Sequence, residues 1–273
     1  MMKNAFIVVK KNGKDILKVA REVMAYLNLK GINTSCDFTT AREMGVPGGD
    51  PSKAAIDLLL VLGGDGTMLW AESKISGRNI PILGMNFGTM GFLTEVDPNK
   101  WRDAIDRVLE GHYSVEKRNK IDVAINGRKL GAALNEVVVK TAMPVEMLSL
   151  EVKVDEQEAD TVMADGVIVA TPTGSTAYSM SVGGPIVDHR VKAFIITSIS
   201  PFKLSARSFV VPDSSKISIR LKGKKSGVVV IDGESRKEVS SDDEIKCTRS
   251  LDKAYLVKLE RDFYDKVKRR LRR

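Results

Sequence analysis

The sharpest chemical signal in the chain is Gly63-Gly64-Asp65-Gly66-Thr67, directly after the apolar run DLLLVL at 57–62. Three glycines let a backbone turn tightly and come close to a ligand. A helix opening near Thr67 would aim its N-terminal amides at the same place, which makes an anion site. A bare carboxylate repels phosphate, so Asp65 needs a reason to be there. It can hold a metal ion, or it can take the proton of an attacking hydroxyl. A plain strand-to-helix turn with an Asx cap would also account for it without chemistry. The turn contains neither a Walker loop nor a GxGxxG fingerprint. Any phosphoryl donor would therefore be held by the amides of Gly63, Gly64 and Gly66, by a metal ion and by scattered basic residues.

Three further segments carry polar groups in suggestive places. Gly84, Asn86, Gly88 and Gly91 punctuate GMNFGTMGFLTEV. Asn135-Glu136 interrupts the apolar strand LNEVVV. An adjacent amide and carboxylate are costly if buried alone, but they suit a sugar diol, which needs both a donor and an acceptor. The segment DGVIVATPTGSTAYSMSVGGP at 165–185 is dense in hydroxyls around Gly174. Such a loop fits base, ribose and phosphate recognition, and it equally fits an ordinary polar loop.

The elements that must position these groups fall into two textures. Residues 5–9, 57–62 and 80–85 are short apolar runs of the kind that form strands buried on both faces. Between them, Ile16, Ala20, Val23, Met24 and Leu27 recur at helical spacing, with Gly31 as the stop. Residues 42–53, rich in glycine and proline, read as a loop. Asp97-Pro98 reads as a helix cap opening a helix to about Leu109. This alternation implies a Rossmann-like parallel sheet over residues 1–110. From 111 to 250 short alternating strands replace helices, with Asn126-Gly127 as a hairpin turn, which implies an all-β, sandwich-like domain. Residues 251–273 end in a helical segment with Phe263, Val267 and Leu271 on one face, expected to pack on the protein.

Composition narrows the class. Hydrophobic residues at 43% and charged residues at 29% are the balance of a folded globular chain. No apolar run approaches the roughly 20 residues of a membrane helix. The first residues lack a secretory pattern, so a cytoplasmic protein is expected. Cys36 and Cys247 form no CxxC, and two histidines are too few for a multi-histidine metal site. The net charge of +8 lies largely in KVKRRLRR at 266–273. With aromatics at 5% and no RNA-binding aromatic motif, it points to phosphorylated small molecules rather than nucleic acid.

Taken together, GGDGT at 63–67, GMNFGTMGFLTE at 84–95, the pair at 135–136 and the segment at 165–185 closely resemble the NAD kinase family. GGDGT alone is shared with diacylglycerol and sphingosine kinases; TPTGSTAYS with an upstream Asn-Glu is far more specific. The resemblance implies phosphoryl transfer from ATP, or in some members polyphosphate, to the 2′-hydroxyl of the adenosine ribose of NAD. It also implies a divalent metal, usually Mg2+, and a homodimer or homotetramer. Carried over by residue, it makes Asp65 the general base, with Gly66 beside it. Phe92 becomes part of the NAD-facing wall, and Asn135 and Glu136 become NAD-binding residues, Glu136 on a ribose diol. Asp165 and the run Thr176, Ala177, Tyr178, Ser179, Met180, Ser181 become the adenine side. Arg207 becomes a donor-phosphate cation. The chain departs from many relatives at Phe202, Glu234 and Met163, where histidine, glutamine and arginine are common. Those positions bear on donor choice and on NAD against NADH. Two other readings stand beside this one: a lipid kinase sharing GGDGT, and a non-catalytic dinucleotide-binding module.

Overall fold

The structure is a computed structural model that describes residues 2–11, 14–88, 91–143, 146–260 and 263–272. The chain forms two compact units, Met1–Lys117 with Lys253–Arg273, and Arg118–Asp252. It passes from one to the other within the strands Ser114–Ile125 and Glu244–Lys258.

The first unit is built on the parallel sheet expected from its apolar runs. Asn4–Val9 lies between Asn33–Cys36 and Leu58–Gly63, parallel to both. Leu58–Gly63 continues in parallel to Pro81–Asn86, which pairs in turn with Tyr255 and Leu256. Every residue of Leu58–Gly63 is buried, which is why its sequence shows no polar alternation. The helix Lys14–Leu29 puts Ile16, Ala20, Val23 and Leu27 into the core, and Gly31 ends it with φ +78°. Asp97 caps as expected by accepting from the Asn99 amide, but Pro98–Lys100 is a 3-10 turn and the α-helix proper is Trp101–Leu109.

Two short elements carry no periodic apolar signal. Asn33–Cys36 is a four-residue strand, and Phe38–Met44 is a helix, so the loop read at 42–53 starts only after Met44. That helix has seven residues, too few for a periodic stripe, and its first side chain, Phe38, is exposed. Its start is fixed by Asp37, which accepts from the Thr39 and Thr40 amides, and its end by Gly45 at φ +68°.

The second unit is antiparallel throughout. One sheet runs Phe209–Pro212, Ala193–Ile199, Gly166–Ala170, Glu136–Thr141, Gly227–Ile231, Ser235–Val239. A second set joins the start of Glu244–Lys258 to Ile217–Lys222, Leu148–Val154 and Gln157–Ala164. Val137, Val167 and Phe194 of the first set and Leu150, Ile217 and Ile219 of the second share one apolar core, the sandwich arrangement the strand spacing implied. Asn126 at φ +50° and Gly127 at φ +77° make the hairpin turn between Ser114–Ile125 and Arg128–Ala133.

The C-terminal helix, Phe263–Leu271, departs from expectation at one position. Phe263 and Val267 are half-buried, but Leu271 is 65% exposed. The helix is held instead by the charged Lys266.

Candidate functional site

In the first unit, the buried strand Leu58–Gly63 delivers the glycine turn. A side chain at Gly63 would sit 2.7 Å from Thr67 Cβ, so the turn closes only around glycine. The helix that follows starts at Asp65 rather than near Thr67, with Gly64 at the cap and no side chain capping it. Asp65 is thus not the Asx cap of its own helix. Its carboxylate accepts from the Phe92 amide at 2.8 Å and from the Leu93 amide at 3.0 Å, in a loop 27 and 28 residues further on. Among the described residues each oxygen takes one backbone donor, which fixes the carboxylate and leaves a second lone pair on each oxygen unused. A Cβ on Gly91 would land on the Asp65 carboxylate, so glycine is required there for the close approach.

The loop that holds Asp65 is fixed at its base and from behind. The Glu95 and Val96 amides donate to the Gly84 carbonyl, and the Asn86 amide to the Val96 carbonyl. Glu95, whose side chain is only 2% exposed, accepts from Lys258 Nζ at 2.6 Å, from the Leu259 and Glu260 amides at 3.1 Å, and from Lys266 Nζ at 3.5 Å. Lys266 also donates to the Thr94 carbonyl at 2.9 Å. Burial alone would lift the Glu95 carboxyl, but Lys258 and Lys266 hold it below its ordinary range. The C-terminal helix therefore supports the Asp65 loop from within the same unit. Sequence reading missed Glu95, since a carboxylate after GFLT looks like the end of a loop.

In the second unit, Asn135-Glu136 and the hydroxyl-rich loop are built onto one another. Thr171 Oγ1 donates to the Leu134 carbonyl at 2.6 Å, and the Thr171 amide to the Asn135 carbonyl at 2.8 Å. A Cβ on Gly174 would lie 2.7 Å from Asn135 Cα. Gly174–Thr176 forms a 3-10 turn and Tyr178–Ser181 one short helical turn. Many of the hydroxyls are consumed inside the loop. Ser175 Oγ donates to the Pro172 carbonyl and accepts from the Val187 amide, and Ser179 Oγ lies 3.4 Å from Thr197 Oγ1. Thr176 and Ser179 are buried, Ala177 and Met180 half-buried, and Tyr178 and Ser181 face outward.

Glu136 is 8% exposed, and among the described residues its Oε2 has no hydrogen-bond partner. Burial, reinforced by the Asp232 carboxylate, pushes it up to about 8 against the opposing hydrogen bond from the Tyr178 amide. Asp232 was not singled out from the sequence. It accepts from three successive amides, Leu134 at 2.7 Å, Asn135 at 2.8 Å and Glu136 at 3.0 Å. The signal available was Asp232-Gly233 ending an apolar strand, which reads as a plain turn.

The remaining expected residues bond to other parts of the chain. Gly166 pairs with Lys140 and Ala170 with Glu136, so Asp165 stands at the opposite end of its strand from Glu136, some 15 Å or more away at about 3.3 Å per residue. Arg207 is exposed and folds onto its own loop, donating to the Leu204 and Ala206 carbonyls. Of the departures from common family residues, Phe202 is 72% exposed and its amide donates to the Met163 carbonyl at 2.8 Å; Glu234 is exposed. Among the described residues no group of three or more His, Cys, Asp or Glu side chains could hold a metal ion, and no helix is long and apolar enough to cross a membrane.

Known proteins match this arrangement over nearly the whole chain. Residues 49–113 match the family model of the ATP-NAD kinase N-terminal domain, and residues 134–259 that of the ATP-NAD kinase C-terminal domain. An NAD kinase of Methanothermobacter thermautotrophicus is 45% identical over 270 residues, 97% of this chain and 95% of that protein. The chain belongs to the NAD kinase family. Among solved structures, yeast NADH kinase complexed with NADH superposes with a TM-score of 0.91 at 25% identity, covering 98% of this chain and 86% of that one. An NAD kinase from Archaeoglobus fulgidus in complex with ATP gives 0.83 at 28% identity, covering 97% and 98%. As an NAD kinase the chain is a phosphotransferase, and none of these matches is to a lipid kinase or a non-catalytic module. The α/β unit with GGDGT and the antiparallel unit with TPTGSTAYS are the two halves of that family's fold.

Proposed function

We propose that this NAD kinase transfers the terminal phosphoryl group of ATP to the 2′-hydroxyl of the adenosine ribose of NAD, with Asp65 as the base. The observation that carries the reading is the Asp65 carboxylate, turned away from its own helix and fixed by the Phe92 and Leu93 amides. A fixed carboxylate with a free lone pair on each oxygen is the group that can take the hydroxyl proton as attack begins. The ribose oxygen forms a bond to the γ-phosphorus, the bond from that phosphorus to the bridging oxygen breaks, and ADP leaves. The first N–H groups of the helix Asp65–Lys74 have no intrahelical acceptor, and with Gly63, Gly64 and Gly66 they form the donor-phosphate cradle. Phe92 lines the approach.

In the second unit Asn135 and Glu136 grip the ribose diol of NAD. Tyr178, Met180 and Ser181 face the nucleotide, while Thr176, Ala177 and Ser179 shape the loop behind them. Asp165 and Arg207 are assigned to nucleotide and phosphate by family likeness alone. A divalent metal, Mg2+, fits this donor set: such ions use one carboxylate together with substrate phosphate oxygens, and Asp65 keeps free lone pairs for it. When bound, the ion neutralises charge on the donor phosphates. Exposed Phe202, Leu204, Phe209 and Val210 support a homo-oligomer, a dimer or tetramer.

Incubation with NAD, ATP and Mg2+, read by an NADP-specific dehydrogenase, tests the reading. NADP should accumulate only with all three present. Equal rates in excess chelator contradict the metal, and turnover with polyphosphate but not ATP contradicts the donor.

A further inference from the structure

A carboxylate that accepts from three consecutive backbone amides fixes the direction of that backbone segment. Asp232 does so at Leu134, Asn135 and Glu136, the strand start that carries the two residues assigned to the ribose diol. It sits at φ +47°, immediately before Gly233 at φ +75°, so the turn is shaped to point its side chain back across the sheet. Glu136, whose own amide is one of the three donors, is more than nine-tenths buried, and among the described residues its Oε2 has no partner. An orphaned buried oxygen is costly, and a ligand hydroxyl would satisfy it.

We propose that Asp232 is a positioning residue for the acceptor nucleotide: it sets the direction of Asn135 and Glu136, so that the unpartnered Glu136 oxygen meets the ribose diol. The Asp232 charge beside it favours the protonated form of Glu136, which then offers the diol a donor as well as an acceptor. The inference rests on the reading of Asn135 and Glu136 as the ribose grip. Asp232 is the ionised member of the pair because it has three amide donors, although burial lifts its own carboxyl above the ordinary value. Glu136, with one amide donor from Tyr178, is the protonated member. Lys120 also faces the pair: it lowers the Asp232 carboxyl and is itself paired with Asp252 at 2.9 Å, while Arg118 donates to Thr173 Oγ1 at 3.3 Å in the adjoining loop. Asn135 and the loop at Tyr178 bring no charge.

The test is calorimetric NAD binding to the full-length protein across pH, comparing wild type, Asp232→Asn and Glu136→Gln. Asparagine tolerates the backbone at 232 but can accept from only one side, so the variant keeps the turn and loses alignment and charge. In the wild type, affinity should fall as pH rises through about 8. Asp232→Asn should weaken NAD binding roughly tenfold, the scale of a lost hydrogen bond to a charged group, and move the break to lower pH. A purely structural role would not move that break. Glu136→Gln, which leaves Asp232 and its amides in place, should abolish the break, and it carries the test if Asp232→Asn fails to fold. An unchanged affinity and break in Asp232→Asn, or a break that survives in Glu136→Gln, overturns the proposal. A wild type that binds no NAD at all overturns the functional reading instead.

Discussion

The molecule holds its two decisive carboxyl groups in opposite ways. Asp65, in the parallel unit, is half-buried at a helix start, and both its oxygens are held by amides of a distant loop. Glu136, in the antiparallel unit, is buried with one oxygen unpartnered and a second carboxylate beside it. The first environment orients a carboxylate while leaving it open to a proton. The second withholds the charge and keeps hydrogen-bonding capacity for a ligand. The carboxyl proposed as the base and the one proposed as the ribose grip differ in surroundings more than in chemistry.

The largest expected effect is at Asp65. Asp65→Asn should lower turnover by roughly 10²–10⁴, the range for a positioned general base. Asparagine cannot accept from both Phe92 and Leu93, so the loop should also loosen by about 1–3 kcal/mol. Thermal unfolding of the same variant separates that loss from the rate. Near-wild-type turnover removes Asp65 from the chemistry.

Glu136→Ala comes next. It should weaken NAD binding at least tenfold, since losing a hydrogen bond to a buried group costs about 1–3 kcal/mol and each 1.4 kcal/mol is about tenfold in affinity. The raised Glu136 carboxyl sharpens this expectation. At neutral pH a protonated Glu136 resembles glutamine, so Glu136→Gln should bind NAD within a few-fold of wild type. Equal losses in both variants on calorimetry would mean that the charge itself is what grips.

These contrasts were only half legible beforehand. The parallel sheet was readable because Leu58–Gly63 is buried on both faces and so shows an unbroken apolar run. Asp65 was readable because glycines on both sides leave few other reasons for it. Asp232 and Glu95 were not, because their partners lie about 100 and about 165 residues away in sequence. Local patterns carry no record of such contacts. The hydroxyls of Ser175 and Ser179 looked available for ligand, yet the folded loop uses them itself.

A third prediction follows from the burial of Glu136. Its folded-state value of about 8 exceeds the ordinary 4.5, so the folded protein keeps a proton that the unfolded chain gives up. Its contribution to stability is therefore neutral below about 4.5, turns unfavourable as pH rises, and levels off above about 8. Glu136→Gln should be more stable than wild type at pH 8 by roughly 2–5 kcal/mol, and by little at pH 4.5. Denaturant midpoints at the two pH values check the sign.

The smallest effects belong to the C-terminal helix, and they split within it. Lys266→Met removes a partner of the buried Glu95 and should cost about 1–3 kcal/mol of stability. Replacing the exposed Lys268 and Arg269 with serine should change stability by less than about 0.5 kcal/mol. Parallel melting curves decide whether the helix is held by Lys266 or by its general charge.

The division of labour between the two carboxyl groups is tested most directly by one double-mutant cycle. Single-turnover NADP formation and NAD dissociation constants would be measured for wild type, Asp65→Asn, Glu136→Ala and the double variant. Asp65→Asn should lower the rate constant of bound substrate with NAD affinity largely kept. Glu136→Ala should weaken affinity with a smaller change in that rate constant, and the two losses should multiply in the double variant. An Asp65→Asn enzyme that binds NAD as poorly as Glu136→Ala but turns over bound substrate at the wild-type rate would contradict it.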